Sequence, residues 1–194
     1  YGIDEGLPDR ITTSALEDRR GQLWAGTYRG VARIMGGKVV PHASREGAYG
    51  DLIYTLFEDV EGNLWVGAQD GLYQLNPARF TPYTTQQGLT QNNVMSVCED
   101  RSGTVWIGTW GGGLNRLTEG ALTAFGAENG PARDLVLALH EGRDGSLWVG
   151  LDHGGGLRRF KDGPRNLFRS QAGLIDAAIR VIHEDQQGTL WVGT

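Results

Sequence analysis

The feature that most constrains this chain is a ten-residue stretch that recurs five times. In its third copy it reads DRSGTVWIGT, from Asp100 to Thr109. The tryptophans of the copies are 41, 41, 42 and 43 residues apart, and they are Trp24, Trp65, Trp106, Trp148 and Trp191. A fixed period of this size indicates that each period is one supersecondary unit, which buries its faces only when neighbouring units stack.

The stretch itself predicts a tight turn followed by a buried strand. The Asp that opens the turn can accept hydrogen bonds from the turn backbone, and the Gly at its fourth position accepts a positive φ. In the strand that follows, Val105 and Ile107 point to one face and Trp106 to the other, so both faces are apolar. Gly108 leaves room for another backbone to approach. A sheet packed on both faces, repeated at this period, predicts a blade of a β-propeller.

Each repeat divides into four strands, which we name A to D in chain order. In the first repeat we predict them at 11–17, 22–28, 31–35 and 38–42, and in the second at 52–58, 63–68, 72–75 and 80–84. In the third repeat we predict them at 93–99, 104–109, 114–117 and 122–125, and in the fourth at 135–141, 146–151, 157–160 and 166–169. The fifth repeat contains strands A and B alone, at 178–184 and 189–194. The predicted fold class is all-β, a β-propeller of four-stranded antiparallel blades, with four full blades plus the first two strands of a fifth. The repeats form a single array at about 6–46, 47–87, 88–129, 130–172 and, in part, 173–194. Because an exposed sheet edge invites pairing, we expect self-association through the incomplete fifth blade.

Composition excludes several other classes of protein. The chain has 18 basic and 23 acidic residues without a basic run, so we expect no nucleic-acid partner. It has no apolar stretch long enough for a membrane span, and we expect no membrane contact by this segment. A lone cysteine, Cys98, excludes an internal disulfide and is interpreted as a small buried hydrophobe. The chain opens inside the repeat pattern without a signal peptide, which indicates a piece of a longer protein.

The third repeat carries the fullest form of the motif, from Gly88-Leu89 through the central stretch to the Leu-Asn-Arg-Leu segment at 114–117. This pattern resembles the two-component regulator propeller repeat, and the resemblance covers essentially the whole chain. It implies an extracytoplasmic, periplasmic sensor domain of a bacterial hybrid histidine kinase, often one that responds to oligosaccharides. It therefore implies a non-catalytic chain without a cofactor, with an oligosaccharide or small polar molecule as the ligand.

A ligand site is expected where the repeats differ most, in the D–A and B–C loops, which emerge at the same end of antiparallel blades. Aromatic faces beside amide and charged groups suit a sugar. The candidate residues in the loops are Trp110, Tyr28, Arg29, Gln69, Asp70, Asn93, Asp152 and His153. One register at the start of strand A adds Tyr54 and Arg180, and its other members are Thr13, Met95 and Leu137. Trp110 is the one tryptophan outside the repeat register, and its structural alternative is to cover the Gly111 to Gly113 loop.

Other interpretations stay open beside the sensor. Asp152 and His153 are the pair that could serve a propeller lyase or hydrolase, and the chain could also be a self-assembling or engineered scaffold without a natural ligand. His140 and His183 share a register and could hold a metal, but packed histidines are the favoured interpretation. A ring of carboxylates could bind a cation, although scaffold contacts are favoured for Glu17, Glu58, Glu99, Glu141 and Glu184. We therefore predict no catalytic residue and no metal site.

Overall fold

A computed structural model describes residues 1–42, 52–76, 79–125, 134–152, 155–161, 168–169 and 178–194. Within these ranges the chain forms five antiparallel sheets and a 3-10 turn at Thr85–Gln87. The first sheet contains β1 (Thr12–Glu17), β2 (Leu23–Thr27), β3 (Gly30–Met35) and β4 (Lys38–His42), and the second contains β5 (Ile53–Glu58), β6 (Leu64–Ala68), β7 (Leu72–Asn76) and β8 (Arg79–Tyr83). The third contains β9 (Val94–Glu99), β10 (Val105–Thr109), β11 (Gly113–Thr118) and β12 (Ala121–Phe125). The fourth contains β13 (Val136–Glu141), β14 (Leu147–Leu151), β15 (Leu157–Phe160) and β16 (Phe168–Arg169), and the fifth contains β17 (Val181–Glu184) and β18 (Leu190–Gly193).

The strands of each sheet follow one another in chain order, and each pairs with the next. This is the predicted A-B-C-D order, and the predicted strand boundaries lie close to the observed ones. The all-β prediction of four complete four-stranded sheets and a two-stranded fifth is therefore confirmed. No helix in the described part of the chain is long and apolar enough to cross a membrane.

The repeated turn is fixed by one carboxylate. In the third copy, Asp100 Oδ1 accepts hydrogen bonds from the backbone N–H groups of Ser102 (2.9 Å) and Thr104 (3.1 Å). Gly103 has φ of 79° and donates its N–H to the carbonyl of Asp100. The second oxygen, Oδ2, accepts the indole N–H of Trp106 at 2.7 Å. The same indole bond forms in the first, second and fifth copies, so the turn also fixes the orientation of the indole ring.

The chain divides into two compact units. The first comprises 1–87 with 92–94, and the second comprises 88–91 with 95–194. In the first unit the core lies between the first two sheets, with Ile53, Val66 and Trp24 among its buried members. In the second unit one core lies between the third and fourth sheets and another between the fourth and fifth. Cys98 is buried in the former, which confirms its interpretation as a core residue.

Within each unit, consecutive sheets approach each other closely at the glycine of the Trp-x-Gly segment. A Cβ added to Gly108 would lie 2.5 Å from Val136 Cγ1, and one added to Gly150 would lie 2.6 Å from Ile179 Cγ2. Both contacted side chains are fully buried on strand A of the next sheet, or directly before it. The close approach predicted for this glycine is therefore present in the second unit, and Gly26 against Ile53 repeats it in the first.

The ring of the last repeat tryptophan differs from the others in exposure. Trp65 is 2% exposed, whereas Trp191 is 61% exposed. The difference follows from the sheets, because β6 is followed by β7 and β8 while β18 belongs to a two-stranded sheet.

Candidate functional site

The sheets of each unit present two ends. We call the end with the β2–β3, β6–β7, β10–β11 and β14–β15 connections the loop end, and the end with the Asp-x-x-Gly turns the turn end. The predicted ligand residues that the structure describes belong to the loop end. They divide between the units, with Tyr28, Arg29, Tyr54, Gln69, Asp70 and Asn93 in the first and Trp110, Asp152 and Arg180 in the second.

In the first unit the two tyrosines lie near each other. Tyr28 is 45% exposed at the end of β2, and Tyr54 is half-buried in β5. Burial, followed by the nearby Tyr28 hydroxyl, raises the pKa of Tyr54. Arg29 Nε lies 4.0 Å from the carboxylate of Asp9, and its side chain is 73% exposed. The backbone N–H of Gln69 bonds the carbonyl of Leu52, and the Gln69 side chain is exposed.

In the second unit two candidates meet at Leu135. Trp110 forms an isolated antiparallel bridge with Leu135, and the N–H of Asp152 bonds the Leu135 carbonyl at 3.1 Å. The Trp110 ring is 42% exposed. Arg180 is exposed, and its N–H bonds the carbonyl of Gly193. His153 lies outside the described residues, so the Asp152 and His153 pair is not placed.

One loop-end ion pair could not be read from the sequence. Arg158 of β15 donates from Nη1 to Asp134 Oδ2 at 2.8 Å, and the Arg158 side chain is 13% exposed. Both positions hold different residues in different repeats, and this variation was the only feature of the sequence that could have indicated the ion pair. The pair fixes the segment before β13 to strand C of the same sheet.

Strand A is irregular at the register that the sequence singled out. Pairing of β1, β5 and β13 with their neighbours shifts at Thr13, Tyr54 and Leu137. Such bulges change the direction of a side chain. At the first of them, Thr13 Oγ1 donates to the Ile53 carbonyl (2.6 Å) of the next sheet, so this position serves the contact between sheets.

At the turn end, the repeated glutamates act as scaffold residues. The carboxylate of Glu58 accepts the N–H of Arg19 at 2.9 Å, and that of Glu184 accepts the N–H of Arg143 at 2.8 Å. Glu141 does the same for Arg101 at 3.1 Å. The favoured scaffold interpretation is confirmed for these three, and the described residues contain no group of three or more metal-ligating side chains.

His140 and His183 do lie side by side, with ring centroids 6.4 Å apart. The Nε2 atom of His140 lies 4.0 Å from Glu184 Oε2. Burial lowers the pKa of His140, and this effect exceeds the opposite one of the Glu184 charge. At neutral pH the ring is therefore an uncharged, half-buried group.

The turn end of the first unit also contains a cleft of about 340 Å³, which we call cleft 1. Its first wall is the first sheet, with Arg20, Gln22, Trp24, Arg33 and His42. Its second wall is the second sheet, with Glu58, Gly62, Leu64, Leu75 and Asn76. A cleft of about 300 Å³, cleft 2, occupies the same register between the third and fourth sheets. Its residues include Ser102, Trp106, Arg116, Phe125 and Phe160.

Comparison with known proteins agrees with this architecture. The family model described as two component regulator propeller matches residues 6–29, 88–111 and 173–194. The extracellular domain of the putative hybrid two component system BT3049 from B. thetaiotaomicron is similar over 100% of this chain and 29% of its own, with 22% identity and a TM-score of 0.84. The corresponding domain of BT4673 from B. thetaiotaomicron is similar over 95% of this chain and 26% of its own, with 22% identity and a TM-score of 0.77.

Enzymes share the fold as well. Virginiamycin B lyase from Staphylococcus aureus is similar over 96% of this chain and 64% of its own, with 15% identity and a TM-score of 0.76. No curated protein matches the chain. The chain spans less than a third of the length of the two sensor domains, and at these identities the likeness to solved structures concerns the fold. The family model thus matches three of the five copies of the repeated motif, and in these segments the chain is similar to the two-component regulator propeller repeat.

Proposed function

We propose that the chain is a non-catalytic sensing module of an extracytoplasmic two-component sensor, and that its loop end binds a small polar ligand such as a carbohydrate. The repeat family and the fold shared with extracellular sensor domains support the sensor role. One observation supports the loop end as the binding surface, namely the exposure of Trp110 and Tyr28 outside the repeated tryptophan position. In the complete protein, ligand binding would bias signalling only if the two signalling states bind the ligand with different affinity.

The chemistry of the loop end suits a sugar. An aromatic ring packs on the C–H face of a sugar, while carboxylate and amide groups bond its hydroxyls. In the second unit Trp110 and Asp152 both bond Leu135 through their backbones. In the first unit Tyr28 and Tyr54 lie near each other, and Gln69 is exposed at the same end. Each unit thus combines an aromatic face with a polar group at this end.

The test is an oligosaccharide panel screened against the whole chain, followed by calorimetry on each hit. Trp110→Ala and Tyr28→Ala should each be examined, because the two residues report on different units. Val60→Ala is the matched control, since Val60 is 65% exposed but lies in a turn at the other end of its sheet. Loss of at least about tenfold in affinity in one aromatic variant, with the control unchanged, is expected. Hits that neither aromatic variant weakens would refute loop-end binding, and turnover of a hit would refute the non-catalytic assignment.

A further inference from the structure

Cleft 1 and cleft 2 have different residues at equivalent positions that the repeated motif does not fix. In cleft 2, Phe125 packs edge-on against Trp106 with centroids 4.8 Å apart, and against Phe160 at 5.6 Å. Both phenylalanines are buried in the core of the second unit, so apolar rings line this side of cleft 2. In cleft 1, His42 packs edge-on against Trp24, with ring centroids 5.5 Å apart. The registers of Phe125 and Phe160 are occupied in cleft 1 by His42 and Leu75. An aromatic core therefore satisfies the fold at this place, and the polar set of cleft 1 is not a requirement of the repeat.

The arginines of cleft 1 are paired differently from their counterparts in the fourth sheet. There Arg159, which pairs with the repeat tryptophan as Arg33 does, forms an ion pair with Asp144. The turn position of Asp144 is occupied by Arg20 in the first repeat. Arg33 lies over the Trp24 ring, 5.7 Å from its centroid, as Arg159 lies over Trp148. Arg33 Nη1 donates to the neutral Gln22 amide at 3.3 Å rather than to a carboxylate. Among the described residues, no carboxylate forms an ion pair with either guanidinium, although the Arg20 charge contributes to the lowered pKa of Asp18.

The acidic groups of cleft 1 are already engaged by the scaffold. Asp18 accepts three hydrogen bonds, from the backbone N–H groups of Arg20 and Gln22 and from the Trp24 indole. Glu58 accepts the N–H of Arg19. These carboxylates repel an anion, whereas the two guanidinium groups that line the cleft attract one. Two arginines at one cleft provide the planar, bidentate donor geometry that matches a carboxylate.

We propose that cleft 1 is a binding site for a small organic carboxylate. The guanidinium groups of Arg33 and Arg20 hold the carboxylate, and the rings of Trp24 and His42 form the apolar side of the cleft against which the rest of the ligand packs. The size of the cleft suits a molecule of one or two rings. The site lies at the turn end of the first unit, so it is separate from the loop-end surface of the proposed function.

The first experiment is an NMR titration of the whole chain that follows the arginine Nε–H and tryptophan indole N–H resonances. The probe is glucuronate, with glucose as a control that lacks only the carboxylate and inorganic sulfate as a second anion. We expect saturable shifts of the Arg33 and Trp24 signals with glucuronate and none with glucose. Equal shifts with glucose would overturn the role of the carboxylate, and binding of sulfate as tight as that of glucuronate would overturn the assignment to an organic acid.

Variants then locate the site. Arg33→Gln and Arg20→Gln should each weaken glucuronate at least about tenfold, the loss expected for a charge-assisted hydrogen bond. Arg116→Gln makes the same change in cleft 2 and should leave the affinity unaltered. His42→Phe keeps an aromatic ring on the apolar side of the cleft, so binding should persist while the thermal midpoint stays the same or rises. Circular dichroism confirms folding of each variant, and wild-type affinity in folded Arg33→Gln and Arg20→Gln would overturn the proposal.

Discussion

Gly150→Ala should destabilise the second unit although alanine suits a strand better than glycine does. Gly150 lies in β14, with no positive φ to favour glycine. An added Cβ would lie 2.6 Å from Ile179 Cγ2 and 2.9 Å from both the Cβ and the carbonyl oxygen of that residue. Ile179 is fully buried, and its N–H bonds the carbonyl of Leu151 at 3.1 Å, so it cannot turn away. The contact includes backbone, and one sheet must therefore move relative to the next.

Two opposing effects set the magnitude. Overpacking of a tight core costs about 1–3 kcal/mol. Replacing glycine by alanine at an allowed conformation returns about 0.4–1 kcal/mol through the unfolded chain. The net loss is thus about 1–2 kcal/mol, which corresponds to a thermal midpoint lowered by about 2–4 °C per kcal/mol in a chain of this size.

The matched control is Gly193→Ala, the same motif position in the fifth copy. Its added Cβ would lie 2.5 Å from Val181 Cγ1, but Val181 is 57% exposed and can rotate toward solvent. We expect the control to change stability by less than about 0.5 kcal/mol. Urea unfolding followed by tryptophan fluorescence and circular dichroism gives both midpoints. A Gly150→Ala variant as stable as wild type, or no less stable than the control, would refute the close-approach explanation.

Two further predictions concern buried titratable groups. Burial raises the pKa of the Cys98 thiol, so a disulfide reagent for free thiols should modify it only at the rate of unfolding, and fast modification of the native chain would contradict its burial. Burial lowers the pKa of His140, His183 acts in the same direction, and the charges of Glu184 and Glu141 oppose this shift without reversing it. The neutral ring therefore stabilises the fold at pH values above the unfolded pKa of about 6.5, and this contribution is lost as pH falls through the lower folded pKa. His140→Gln should therefore flatten the decrease in the thermal midpoint between pH 7 and pH 5, and an unchanged slope would contradict this sign.

The repeat made the fold predictable because every copy specifies the same local structure. Five aligned copies identify the turn, the two-faced strand and the close-approach glycine independently of any single sequence. The indole bond of Trp106 to Asp100 was also present in the pattern, as an acidic residue six positions before four of the five repeat tryptophans. It was missed because tight-turn chemistry already accounts for an aspartate at that position.

The clefts could not be predicted in the same way. The sequence reasoning sought ligand sites in the connections, where variation between copies is easiest to see. Cleft 1 instead depends on side chains of strands C and D, such as Arg33 and His42, which converge with a turn residue only after the register of three strands is known. Variation at these strand positions was visible in the sequence, but without the sheet it cannot be distinguished from variation at a solvated edge.

The fourth copy offers a stricter test of how the repeat tolerates departures from its pattern. It has Gly142 where four copies have aspartate, and its carboxylate is two positions later, at Asp144. Asp144 accepts the N–H of Ser146 at 3.0 Å and pairs with Arg159 and Lys161. These hydrogen bonds and the Arg159 charge together outweigh the effect of burial and lower its pKa.

Replacing Gly142 alone by the aspartate of the other copies should therefore not stabilise the chain at low salt. A Cβ at Gly142 would lie 3.1 Å from Trp148 Nε1, but also 3.2 Å from Asp144 Oδ1 and 3.4 Å from Glu184 Oε2. Gly142→Asp thus places a third carboxylate beside those of Asp144 and Glu184, and the charge repulsion costs about 1 kcal/mol per neighbour in a solvated setting. That cost offsets the gain of about 1–3 kcal/mol from charge-assisted bonds to the indole and the turn. We expect a single variant near wild-type stability at low salt that becomes more stable as added salt screens the repulsion.

The double variant Gly142→Asp with Asp144→Ser reproduces the Asp-Arg-Ser-Gly turn of the third copy and removes one of the repelling charges. It also removes the Arg159 pair, but that pair is partly exposed and contributes at most about 1 kcal/mol. The double variant should therefore be more stable than the single one at low salt, and the difference should shrink at high salt. Equal stability of the two, independent of salt, would mean that Glu184 alone or packing against Trp148 limits the turn. In that case the displaced carboxylate of the fourth copy would not be the compensation for its missing aspartate.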